Sequence, residues 1–204
     1  MLRLRRGLLA AATLALAASA DVAEAHPHVW VDWVVTALVD HGRVTALREE
    51  WWFDEDFTVE ALSEVRKTKG MRASAPRPLT ETEVGQLKAK AFSNLAHYAY
   101  FTHVWTAGKP LAVAKEVSDF TARMDGAKLA YVFTLPLSVP ADPRKLRVGI
   151  WDDTYYVDVG PVTGRSPVAI EGDGAAGCKA RIIDDKDHPI YDGSIIPKVI
   201  DITC

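Results

Sequence analysis

The stretch His26-Pro27-His28 places two imidazoles two residues apart. Imidazole nitrogen is the commonest side-chain donor to Zn²⁺, Ni²⁺, Co²⁺ and Cu²⁺. On a strand, residues i and i+2 face the same way, so one ion can bridge both rings. Pro27 has no N–H, which works against chelation through successive deprotonated amides. That leaves the two rings, joined by a free amine if the chain begins at His26. Asp32 shares their strand face, and a carboxylate completes a mixed His/Asp site. His97 and His103 are the natural further donors. His41, in a turn, and His188, before Pro189 in an acidic loop, read as surface residues.

The residues ahead of His26 make a free amine the expectation. Arg3, Arg5 and Arg6 form a basic start, "GLLAAATLALAASA" an apolar core, and Ala23-Glu24-Ala25 a small-x-small cleavage signal. Residues 1–25 are thus predicted to be a cleaved export signal, with 26–204 as one periplasmic domain. The apolar run is shorter than the ~20 residues of a membrane span, so no stable insertion of the mature chain is expected. Cleavage removes three Arg and two acids, leaving 21 basic and 25 acidic side chains and a net charge of −4. An acidic balance argues against nucleic acid as a partner. Cys178 and Cys204 are the only cysteines. In an oxidising compartment they predict a disulfide; two free thiols acting as soft metal ligands are the alternative.

Carboxylates beside aromatics in "FDEDF" (53–57) and "WDDTYYVD" (151–158) can serve hard ions or acid–base work, or cap strand ends and turns. "GDGAAG" (172–177) matches a dinucleotide fingerprint literally, but β-like residues follow it where a helix is required. No G-x-S-x-G, H-E-x-x-H or P-loop is present, and a non-enzymatic binding protein is the better reading.

The elements that must hold these groups are mostly strands. Residues 28–40 and 44–57 alternate as a hairpin around His41–Arg43, with Val29, Val31, Trp33 and Val35 facing inward. Residues 57–68 fit a short helix, and 69–80 a polar, Pro-containing loop. Thr80 and Glu83 form a capping-box signature, opening a helix predicted to end near 98–100. Hairpins are predicted around 107–110 and at Asp125-Gly126. One or two strands are expected over 145–159, and a closing pair in "CKARIID" and "KVIDITC". The fold class is α+β, mainly β: β-sandwich-like antiparallel sheets with an inserted helical pair at about 57–99.

The strings "HPHVWVD", "WWFDEDF", "YAYFTHV", "SDF", "FTLPL" and "WDDTYYVD", with a terminal Cys, resemble the family of domain of unknown function 1007 across essentially the whole mature chain. The resemblance implies a periplasmic component of an ABC-type transport system, whose genes often lie near nickel/cobalt-type or other metal permeases. It marks His26, His28, Asp32, Phe53, Asp54, Tyr100, Phe101, Asp119, Asp152, Tyr155, Asp158, Cys178 and Cys204. Many members carry a Ca²⁺-loop-like stretch between the helices; here "RKTKGMRASAPRPLTETE" lacks the alternating acids that calcium requires.

The expectation is a transition-metal-binding accessory protein that passes Zn²⁺, Ni²⁺, Co²⁺ or Cu²⁺ to an inner-membrane permease. His26 and His28 are the primary ligands, Asp32, His97 or His103 complete the site, and Asp119 or Asp152 orient the ligands. Two other readings stand beside it. One is a non-metal β-sandwich interaction module with exposed Trp and Tyr. The other is a copper oxidative enzyme using His26 as a histidine brace.

Overall fold

A computed structural model describes residues 27–204; the export-signal prediction (1–25) and His26 lie outside the described residues. Among the described residues, eleven strands form two sheets, with helices inserted between the second and third strands. Strands β1 (Val29–Asp40) and β2 (Arg43–Phe53) pair antiparallel around a turn at His41-Gly42, both with positive φ. Alternation works as expected on β1: Val31, Trp33 and Val35 are buried, while Trp30 is exposed and Asp32 half-buried.

Helix α1 (Glu55–Arg66) starts at Asp54, whose Oδ1 accepts from Phe57 N and whose Oδ2 accepts from Trp30 N, each at 2.8 Å. One carboxylate therefore caps the helix and fixes the start of β1. Helix α2 (Glu81–Lys90) opens with the expected Thr80/Glu83 capping box. It is shorter than its periodicity suggests. From Phe92 to Phe101 the chain runs as a 3₁₀ segment, and Ala99, Tyr100 and Phe101 all take positive φ. Tyr100 is thereby buried, Phe101 stacks on Trp51, and Thr102 is delivered to the core. Tertiary burial of these aromatics overrides the continued helical pattern.

Strands β3 (Thr102–Thr106) and β4 (Lys109–Leu111) form the hairpin expected at 107–110, and β5 (Ser118–Asp125) and β6 (Lys128–Ala141) the one at Gly126. Then come β7 (Leu146–Ile150), β8 (Val157–Pro161), β9 (Val168–Gly172), β10 (Lys179–Asp184) and β11 (Lys198–Thr203). The first sheet has the order β5-β6-β2-β1-β8, with β9 also on β1; the second is β10-β11-β7-β3-β4. The second sheet is antiparallel throughout, as expected. The first is not: β8 and β9 run parallel to β1, at Val29–Trp33 and Val35–Val39. A parallel partner comes from far along the chain, so no hairpin signal announces it, and β9 was not anticipated. Inner faces of both sheets meet in one core, where Trp33, Leu47, Trp51 and Phe133 join Val104, Leu146, Val148 and Ile200.

Candidate functional site

His28 lies immediately before β1. His28 is exposed; its backbone N donates to Tyr156 O at 2.9 Å, and its ring lies 4.8 Å from the Tyr156 ring. Tyr156 belongs to the loop between β7 and β8, organised by buried Asp152. That carboxylate accepts from Thr154 N and Oγ1 and from Val157 N at 2.8–3.1 Å. Asp152 therefore acts on His28 through the loop, by holding Tyr156 beneath the imidazole. On β8, Asp158 stands in register with Trp30, on the sheet face shared by His28 and Asp32.

The other predicted donors are dispersed. Asp32 is ion-paired with Lys128 at 3.0 Å. Asp119 sits at a register irregularity of β5, on the far edge of the sheet from β8. It is three strands, or about 14 Å, from β1, which removes it as an orienting group for His28. His97 is exposed on the 3₁₀ segment. Among the described residues, no three His, Cys, Asp or Glu side chains gather closely enough to hold an ion. Among the described residues, His28 and Asp158 are the candidate donors at this end of the sheet. His26, the other donor predicted there, lies outside the described residues.

His103 lies elsewhere, on the outer face of the second sheet. Its ring stacks on Trp151 at 4.3 Å, with Nε2 3.2 Å from Trp151 O, and burial holds its imidazole below the usual histidine range. Gly149, opposite His103 in β7, permits this stack: a Cβ there would meet the Trp151 ring at 1.9 Å. Trp105 continues the array and is covered at 4.6 Å by His188, whose Nδ1 lies 2.8 Å from Asp185 Oδ2. His188 is exposed, as expected, and also packs against Trp105. Its place in a stack between distant strands has no local signature. One loop contacts both histidines, with Trp151 against His103 at one end and Tyr156 against His28 at the other.

Glu49 is fully buried and has a readable signal: it interrupts the inward series Leu47, Trp51 and Phe53. Trp51 Nε1 donates to Oε2 at 2.9 Å, and Thr102 Oγ1 lies 3.0 Å from Oε1 and 2.9 Å from Tyr100 O. The Thr102 hydroxyl has one proton, and giving it to Tyr100 O leaves its oxygen to accept from a protonated Glu49. Burial, only partly offset by the Trp51 N–H, pushes the Glu49 carboxyl up to about 8.

Cys178 and Cys204 form a disulfide across 26 residues, tying the end of β11 to the start of β10. The free-thiol alternative is set aside with it. Among the described residues, no helix is long and apolar enough to cross a membrane.

The family described as "Protein of unknown function (DUF1007)" matches residues 10–193. The chain is similar to an uncharacterised protein of Haemophilus influenzae, at 22% identity over 65% of this chain and 61% of that relative. It is also similar to an uncharacterised 15.5 kDa protein in the trpE 3′ region of Spirochaeta aurantia, at 32% identity over 60% of this chain and 87% of that relative. The matched part thus spans less than two thirds of the Haemophilus relative.

Proposed function

We propose that this chain, which belongs to the family described as Protein of unknown function (DUF1007), is a periplasmic transition-metal-binding accessory protein. It takes up Zn²⁺, Ni²⁺, Co²⁺ or Cu²⁺ and hands the ion to an inner-membrane permease of an ABC-type metal transport system. One observation carries the reading. The exposed His28 imidazole is held just before β1 by Tyr156 and, through its loop, by Asp152. A ligand held in place loses less entropy on binding than one on a free tail. His26, two residues earlier, supplies the second ring and the amine, and Asp158 offers a carboxylate on the neighbouring strand, in register with Trp30. The disulfide fits an oxidising compartment.

Isothermal titration with each metal, followed by thermal melting, tests the reading on the chain beginning at His26. Binding at a hundredfold excess over Kd stabilises the folded state by about 2.7 kcal/mol. His28→Ala is expected to weaken binding by tenfold or more, on the order of the 1.4 kcal/mol that a tenfold change represents. Equal binding by wild type and His28→Ala contradicts the assignment.

A second reading has its own observation. Trp30 is 49% exposed and Tyr156 56% exposed at the same end of the first sheet. Aromatics of this kind anchor protein partners, so this face also suits an interaction module. A partner whose binding is insensitive to chelators, and is lost in Trp30→Ala, favours that reading.

A further inference from the structure

Glu49 is fully buried, and among the described residues no charged side chain acts on its carboxyl. Its partners in register are Val35 on β1 and Phe133 on β6, and the second sheet turns Thr102 and Val104 inward toward the same core. The titratable side chains buried on these elements are phenols. Tyr131 lies on β6, and Tyr100 lies in the turn before β3, where its hydroxyl donates to Lys115 O at 2.8 Å. Burial holds both above the ordinary tyrosine range, so neither ionises before Glu49.

The carboxyl is bonded to one particular segment. Thr102 Oγ1 relays one oxygen to Tyr100 O, and Trp51, which donates to the other oxygen, stacks on Phe101 at 6.2 Å. Ala99, Tyr100 and Phe101 all take positive φ, a conformation that L side chains rarely adopt and that persists only where the surroundings hold it. On the other side of this turn lies an open cleft of about 440 Å³, whose lining includes Ala99, Thr102, His103 and Trp105. The turn therefore stands between the buried carboxyl and solvent. Loss of the Glu49 proton to water changes the bonding. The Thr102 hydroxyl has a single proton and turns it to the carboxylate, so Tyr100 O loses its donor. A buried carboxylate without a counter-charge is then costly until water reaches it.

We propose that Glu49 is a proton-operated latch on the left-handed turn Ala99–Phe101. With its proton, it holds the turn against the first sheet through Thr102. Ionised, it releases the turn, which lifts and admits water from the cleft while the β2–β6 ladder stays paired. The latch is independent of the metal reading, since none of its groups is a proposed metal donor.

Amide hydrogen exchange followed by NMR tests the latch. Two amides report on the turn: Thr102 N, which donates to Ala99 O, and Trp151 N, which donates to Phe101 O at 2.9 Å. The amides of Phe133 and Leu135 report on global unfolding, because β6 lies between β5 and β2. An exposed carboxyl titrates near the ordinary 4.5 and the latched one near 8, so the turn opens more readily as pH rises between these values. Protection of the two turn amides, corrected for intrinsic exchange, is expected to fall roughly fifty- to a hundredfold from pH 5.5 to 7.5. It is expected to stay below that of the β6 amides throughout, and to be level with pH in Glu49→Gln. Thr102→Val is expected to lower turn protection at pH 5.5 roughly tenfold relative to the β6 amides, and carries the test alone if Glu49→Gln does not fold. Level protection in the wild type, or a slope that persists in Glu49→Gln, overturns the proposal. So does exchange of the turn only together with β6, or unchanged turn protection in Thr102→Val.

Discussion

At the scale of single residues, the chain carries two glutamates with opposite responses to pH. Glu49 has a folded pKa raised from 4.5 to about 8, so its stability contribution is full below about pH 4.5 and is lost as pH rises through 8. Glu49→Gln keeps the shape and supplies an N–H₂ donor toward Thr102. It is expected to match wild type near pH 4.5 and to exceed it by on the order of 3 kcal/mol at pH 7.5, read from denaturant melts at both pH values. Equal pH profiles would remove the buried-proton account. Glu83 runs the other way. Its carboxylate, held foremost by the Arg77 hydrogen bond, has its pKa lowered to about 2. Its contribution is present above about pH 4.5 and disappears as pH falls through 2. Of these two, Glu83 announces itself through the Thr80–Glu83 capping pattern, whereas Glu49 is visible only once strand parity is taken seriously. His28 and Asp32 were legible in the same way, from alternation on one strand. The stacking of His103 and Trp105 on Trp151 and His188 was not, because the last two come from loops far along the chain.

Elements show where local rules yield to packing. The 3₁₀ segment was predicted as helix because Leu95 and Tyr98 keep helical spacing with Val84 and Leu87; burial of Phe92 and Tyr100 breaks it instead. The left-handed turn at Ala99–Phe101 costs about 1–2 kcal/mol per residue. Ala99 is exposed, so Ala99→Gly is expected to stabilise the chain by about 0.5–1 kcal/mol, after the larger unfolded-state entropy of glycine is subtracted. A loss of stability would show that the turn is not the strained point. Helices α1 and α2 are joined through Arg66, which reaches Glu83 Oε1 at 3.3 Å and Ala75 O at 3.0 Å. Glu83→Ala removes a cap and leaves a buried guanidinium short of its counter-charge. The expected loss is about 3 kcal/mol at pH 7, falling toward the cap alone at pH 2. The parallel strands β8 and β9 escaped the sequence for a different reason: their partner, β1, lies more than a hundred residues away.

The whole molecule is two sheets closed on one core, with its last strand tied back by the disulfide. β11 lies between β10 and β7, so releasing its end loosens an interior strand. A 26-residue separation corresponds to about 3 kcal/mol of unfolded-state entropy. Reduction of the bond is expected to lower the melting temperature by about 6–12 °C, read by scanning calorimetry with and without reductant. At this scale the β-rich class, the helical insertion and the disulfide were all legible from the chain. The mixed pairing of the first sheet follows from long-range packing that no local pattern encodes. The metal reading rests on how the molecule begins, and the most direct measurement compares two chains differing at that point: one starting at His26, the other with a single Gly placed before it. Both are titrated with Cu²⁺, Ni²⁺, Zn²⁺ and Co²⁺. Tight binding that weakens at least tenfold in the Gly-extended chain is the expected result, because the amine is moved away from its own imidazole. Absence of binding in both chains would contradict metal capture and leave the exposed aromatic face as the functional surface.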